Sequence, residues 1–482
     1  MSKFKKKVKQ DLINKTGVSF SFDTSKLESN APLTKKRFNR NWLYLIIPSA
    51  TVASLVLVVS AVVLSTMLTS KESVRITRKQ YSKDEITVIE SNTFRRLNEF
   101  EYPSLTGSRY EAMNENEVER FNTFTNTIYQ ALDHNVNSAF VPVNLYPLLS
   151  VLSMGSSSLE LDSKFAELFD DMTENERTSL YKNIFKNNFY HNDFGSSFVH
   201  NGAFVDYELG FSGTYLEKLT SNYFEAFSLD YTNDDDIQKM IEWINDSMQE
   251  ENFIEQDELN INNDTILYLF SSFLFSNQWT SKYYEKDNTT APFYLANGGQ
   301  TQTTYMSHKY FGKYYNYENY VSVYDYYTNE NSVQYIVPKI HTDNIYDLLG
   351  DENFLVEKGE EHTDMTIALT APIFTNKNTL DFKSALIKLG LGPMFDHSKS
   401  NFANIFDNIP ISSFIEKIQQ KNEVSFTVDG TTVKSLAFAG ASSAIPGPND
   451  TLEVWLNQPF IYVIRDINNI PLFIGHYDTP SI

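Results

Sequence analysis

Apolar residues recur at two different spacings along this chain. Phe382, Ala385, Leu386 and Leu389 fall three or four apart, the repeat of one helix face, with Asn378 or Thr379 placed as a cap and Gly390 as the stop. Phe165, Leu168 and Phe169 repeat that spacing. Strand-like runs at Ile266–Phe275, Met365–Phe374, Phe460–Ile464 and Pro471–Ile474 predict strands, the last two joined by a turn containing Asn468 and Asn469. Helical spacing crowds the first half and strand-like runs the second, which predicts an α+β fold rather than an alternating parallel sheet. From about Tyr110 onward there is no repeat, low-complexity stretch or linker, so the remainder is either two domains or one large mixed fold.

One apolar run has another character. Leu43 to Leu68 is 26 residues without a charge, long enough as a helix to cross a ~30 Å hydrocarbon layer. A cleaved signal has an apolar region of only ~7–15 residues behind a short basic leader; here 42 residues precede the run. A single transmembrane helix over 43–68 is therefore expected. Residues 1–42 read as a basic, solvated cytoplasmic tail held near anionic headgroups. Residues 69–109 read as a flexible tether, with one short strand-like run at Ile86–Ile89 and a reach on the order of 5–6 Å × √40. Lys35, Lys36, Arg37 and Arg40 on one side nearly balance Lys71, Arg75, Arg78, Lys79 and Lys83 on the other, so flanking charge alone leaves orientation open. The further Lys residues within 1–26 and the single early span favour a cytoplasmic N-terminus, with the large domain extracellular.

Charge sharpens the division. Residues 1–70 carry 11 Lys/Arg against 3 Asp/Glu, and residues 71–482 carry 29 against 58. An acidic domain argues against nucleic-acid binding by phosphate neutralisation. With no cysteine, the chain has no disulfide, thiolate nucleophile, Cys-ligated metal or Cys-linked lipid. The 36 Phe and 29 Tyr require a large packed core.

Catalytic signatures are lacking: there is no GxSxG, HExxH, GxxxxGK[ST] or GxGxxG. Asp234-Asp235-Asp236 and Glu360-Glu361 lack the spaced oxygens and turn glycine of a calcium loop and read as solvated turns. His308 and His362 read as surface residues rather than ligands. No enzyme, metal or cofactor is expected.

Four segments carry a resemblance. Asn457-Gln458-Pro459-Phe460-Ile461-Tyr462 is followed by Pro471-Leu472-Phe473-Ile474-Gly475 and Thr479-Pro480; TLDFKSALIKLGLGPMFD spans 379–396; TILYLFSSFLFSNQW spans 265–279 and ends on Trp279; FVPVNLYPLLSVLSMGS spans 140–156, with Gly155 thirteen residues after Pro142. Taken in chain order they resemble the serpin family across about 110–482. The resemblance implies a large central β-sheet, flanking helices and an exposed reactive loop. It also implies a sheet-opening region at Val141, Asn144, Ser271, Trp279 and Gln420, where three of the four polar positions of the family's cluster remain hydrogen-bonding types, which leaves open a satisfied polar network or a decayed one. Asn277 and Val428 depart from the family's Gly and acidic residue.

The loop implied by the resemblance begins at the hinge Gly430 and ends at Asp450. Thr431, Val433, Ser435, Ala437, Ala439 and Ala441 alternate as small residues, the set a strand needs on a face entering a filled interior. Lys434, Leu436 and Phe438 fall on the opposite face. Proline at 446 and 448 disfavours the neighbouring bonds for cleavage, leaving Ala444-Ile445 as the expected reactive bond and Ser443-Ala444 second. A small residue before the cut favours an elastase-like or subtilisin-like serine protease, with a cysteine protease as an alternative partner. The expected function is a membrane-anchored extracellular inhibitor with a monomeric ectodomain. Bulky hinge residues leave open a non-inhibitory surface binding or adhesion module.

Overall fold

The computed structural model describes residues 93–105, 111–134, 137–250, 253–259, 261–262, 264–341, 345, 353–396, 398, 401–410, 412–433 and 451–480. The expected membrane span over 43–68 and the Ile86–Ile89 run lie outside them. Among the described residues no helix is long and apolar enough to cross a membrane.

In chain order the strands are β1 (Arg95–Arg96), β2 (Ala139–Phe140), β3 (Tyr190–Asn192), β4 (Gly195–Asp206), β5 (Phe224–Leu229), β6 (Leu267–Gln278), β7 (Thr289–Tyr294), β8 (Gln300–Asn316) and β9 (Tyr320–Tyr326). They continue with β10 (Ser332–Pro338), β11 (Glu360–Pro372), β12 (Phe374–Asp381), β13 (Gln419–Phe426), β14 (Gly430–Val433), β15 (Thr451–Trp455), β16 (Phe460–Arg465) and β17 (Pro471–Tyr477). One sheet has the order β1-β5-β4-β6-β14-β13-β12, with β3 on β4; the other has β15-β11-β8-β9-β10-β16-β17-β2, with β7 on β8. Most neighbours are antiparallel, but β4 and β5 are parallel, as are β11 and β15. This is the mixed α+β architecture expected.

The helices are α1 (Glu115–Ala131), α2 (Pro142–Gly155), α3 (Leu159–Leu168), α4 (Glu174–Asn187), α5 (Gly213–Ser221), α6 (Asp234–Ser247) and α7 (Gln256–Leu259). Capping boxes start two of them: Asn114 with Glu117 at α1, and Thr173 with Glu176 at α4. Pro142 opens α2 where its missing N–H costs nothing. Nearly every α2 side chain is buried, because the helix packs against β6 of one sheet and β17 of the other. By contrast, α6 is amphipathic. Ile237, Met240, Ile241 and Ile244 share one face and cluster with Phe204, Phe227 and Phe270 of the first sheet.

Several expectations need correction. Met365–Phe374 is two strands in different sheets, broken at Ile373. Asn378 and Thr379 belong to β12, so neither caps the following helix. That helix is a single turn from Lys383 that passes into a wider turn over Ile387–Leu391, where Gly390 adopts φ +84°. Asp381 Oδ1 accepts from Lys383 N at its start. Asp234, Asp235 and Asp236 form the first turn of α6, where they face the positive end of its dipole. Glu360 and Glu361 lie in β11 rather than a turn. The tether reading fails over residues 93–105, which pack on the first sheet and include its edge strand β1.

Candidate functional site

The centre of the first sheet holds a short strand beside a cleft. β14 is four residues long and pairs antiparallel on both sides: Gly430–Val433 against Gln278–Phe275 of β6, and Thr431 and Thr432 against Phe426 and Ser425 of β13. Among the described residues, no strand beyond Val433 lies between β6 and β13. The cleft, about 300 Å³, is lined by Leu267–Phe273, Gln419–Glu423, the Asn144 face of α2, and Met248, Phe253, Ile254, Glu258 and Leu259. It has the form of a missing strand position.

The hinge end is tightly built. Gly430 lies so close to β6 that a Cβ on it would sit 2.0 Å from the Asn277 carbonyl oxygen. Thr431 is fully buried and its Oγ1 accepts from the Tyr327 hydroxyl at 2.7 Å, whereas Thr432 is half-buried on the other face. Burial pushes the Tyr327 hydroxyl well above its ordinary pKa, so it remains a donor. Tyr327 stacks on Trp279 at 4.6 Å, and Trp279 Nε1 donates to the Thr427 carbonyl. Asn277 replaces a small residue here and uses the room: its Oδ1 accepts from Tyr190 and Asn329.

Lower in the cleft the polar residues divide. Gln420 clamps the Val141 backbone, donating to its carbonyl at 2.9 Å and accepting its N–H at 2.8 Å. Asn422 donates to the Ala139 carbonyl beside it. Asn144 Oδ1 and Ser271 Oγ, both lining the cleft, have no hydrogen-bond partner among the described residues. The polar network that the sequence left open is thus only half present. The remainder of the loop, including Ser435, Ala437, Ala439, Ala441, Ala444 and Ile445, lies outside the described residues.

Two histidine clusters bear on chemistry. His308 is not a surface residue: its side chain is 4% exposed, it stacks on Tyr283 at 3.8 Å, and its Nε2 lies 3.1 Å from Asp325 Oδ2. His362 is half-buried against Tyr314. Elsewhere His476 stands between Ser138 Oγ and Asp478 Oδ2, at 2.5 Å from each. That is the order of a hydrolase triad, but Ser138 is 6% and His476 1% exposed, and the Ser138 backbone N–H is aimed at the same ring nitrogen. A substrate has no approach to the hydroxyl, and the group braces residue 138 against the last strand.

Sequence reasoning missed Tyr327, Asn422 and the 93–105 segment. Only the last had a signal: Phe94, Phe100 and Tyr102 stand out in polar surroundings.

Comparison with known proteins agrees with this architecture. The family profile "Serpin (serine protease inhibitor)" matches residues 119–480. Serine proteinase inhibitor 2 of variola virus is 24% identical over 353 residues, covering 70% of this chain and 94% of its own length. Serpin-Z2A of Triticum aestivum is 24% identical, covering 71% and 90%. Among solved structures, the thermophilic serpin tengpin in its native state has a TM-score of 0.64 at 18% identity, covering 78% of this chain and 97% of its own. Serpin48 of the insect Tenebrio molitor has a TM-score of 0.64 at 17% identity, covering 77% and 100%.

Proposed function

The chain belongs to the serpin family, and from that premise we propose that it is a membrane-anchored extracellular protease inhibitor acting as a suicide substrate through loop cleavage and insertion. The observation that carries the reading is β14, a strand set between β6 and β13 whose described part ends at Val433 above a cleft lined by both. Continuing its register sets Ser435 opposite Phe273, Ala437 between Ser271 and Gln420, Ala439 opposite Leu269 and Ala441 opposite Leu267. Each is small and falls on the Thr431 face. A strand there would supply backbone partners to both exposed ladders, and Ala437 leaves space beside Ser271 and Asn144.

The target in this reading is an elastase-like or subtilisin-like serine protease that cuts Ala444-Ile445. The apolar run over 43–68 supplies the anchor, with residues 1–42 cytoplasmic. The test is to react the purified ectodomain with such proteases. A covalent complex that survives denaturing electrophoresis, a cut at Ala444-Ile445 by mass spectrometry, and a sharp rise in melting temperature after loop cleavage are expected. Cleavage that leaves the melting temperature unchanged and yields no complex would replace inhibition with the second reading, a surface binding module, which Lys434, Leu436 and Phe438 favour.

A further inference from the structure

Residues 93–105 precede the span matched by the family profile, yet they bind the first sheet as a peptide ligand would. Arg95 and Arg96 add β1 to the edge of β5, and Leu97 N donates to the Ala226 carbonyl at 2.7 Å. Asn98 extends the ladder with its side chain, donating to the Phe224 carbonyl and accepting from Ala226 N, both at 2.8 Å. The segment also reaches α6. Phe94, 3% exposed, belongs to the cluster of Phe227, Met240 and Trp243, and the Thr93 hydroxyl donates to Asp236. Glu225 joins both parts, accepting from Tyr102 at 2.5 Å and from Trp243 Nε1 at 2.9 Å.

The element held in this way leads directly to the cleft. Met248, Phe253, Ile254, Glu258 and Leu259, in the chain leaving α6, form part of the cleft wall. From the opposite side, Lys421 of β13 ties it down, donating to the Phe253 carbonyl at 2.8 Å and pairing with Glu258 at 3.0 Å. A strand entering the cleft would lie against this wall, which is continuous in the chain with α6.

We propose that residues 93–102 are a latch on β5 and α6 that sets how fast the first sheet admits a strand, so that lifting the segment from its upstream side speeds insertion. The proposal rests on the loop-insertion reading. Its test uses the intact protein with Asn98→Ala and Thr93→Val, single polar changes outside the loop and cleft, and Glu99→Ala, at an exposed position, as the control. Two quantities are read: amide hydrogen exchange of β5 and α6, and the rate at which a synthetic peptide of residues 431–441 is taken up, followed by the rise in melting temperature. Faster exchange in both elements and uptake roughly fivefold faster than wild type, the size of one lost hydrogen bond, are expected. Uptake within about twofold of wild type, or exchange altered only within 93–102, would overturn the latch. If wild type itself takes up no peptide, the insertion reading falls and the latch with it; if only the variants fail to accelerate, the latch alone is lost.

Discussion

Tyr327 donates its hydroxyl proton to Thr431 Oγ1 across 2.7 Å, so the second residue of the hinge is fastened to the stretch that follows β9 of the other sheet. Both residues are buried, and the bond fixes which face of the hinge looks inward. Thr431→Val keeps the shape and leaves the Tyr327 hydroxyl unpaired, a loss of about 1–3 kcal/mol expected in urea unfolding. Thr431→Arg is expected to turn an inhibitor into a plain substrate, because an unpaired buried charge costs several kcal/mol, on the order of 3–5. Thr432→Arg, on the half-buried face, should retain complex formation. Equal behaviour of the two Arg variants in a stoichiometry assay would show the inserted register to be wrong.

Gly430→Ala tests the entry point. Its Cβ would collide with the Asn277 carbonyl, a backbone atom that has no room to yield. The expected outcome is a hinge expelled from the sheet, seen as faster amide exchange at 430–433 and faster cutting of the loop by non-target proteases.

Lys421→Ala separates stability from opening. The Lys421–Glu258 pair is about two-fifths exposed at each residue, so its loss should change equilibrium stability by less than ~1 kcal/mol. Its position across the cleft should nevertheless quicken uptake of the 431–441 peptide. A large stability loss with no change in uptake would show that the lysine is merely packing.

Acid should act on two groups with opposite sign. Burial, reinforced by the charge of His476, pushes His134 down to about 4. The unfolded chain then binds the proton first, and this contribution to stability, complete above pH ~6.5, is lost as pH falls through about 4. Burial pushes Asp466 up to about 6. The folded chain takes that proton first, so stability rises as pH falls from about 6 toward ~3.8. His134→Leu removes the first effect alone, and the variant should gain stability relative to wild type between pH 7 and pH 5 in urea midpoints. A parallel shift at both pH values would exclude His134 titration.

The sequence displayed the parts of the fold that depend on local pattern. β16 and β17 were readable as apolar runs, and their turn at Asn468-Asn469 fits the positive φ of Asn469. Where two neighbours compete, pattern failed. Met365–Phe374 is largely apolar across β11 and β12, which are packed in different sheets, and only Pro372, the last residue of β11, marks the change. Asn378 looked like a cap since Asn favours caps, but its Nδ2 donates to the Ala139 carbonyl from within β12. His308 looked like a surface residue because its partners, Tyr283 and Asp325, are 25 and 17 residues away in the chain. Of the candidate site, the small alternating residues were visible because strand geometry requires them. Tyr327 and Asn422 were hidden because their roles arise only when the two sheets are stacked.

The strand β1 has a bearing on how these molecules meet one another. A sheet edge offers unpaired backbone groups that recruit strands from other chains, and β5 would be such an edge if uncovered. β1 covers it with only two residues, both arginine, and the side chain of Asn98 takes up the next backbone positions. So short and cationic a border is a poor template for a second copy. On this flank, self-association by edge pairing is discouraged.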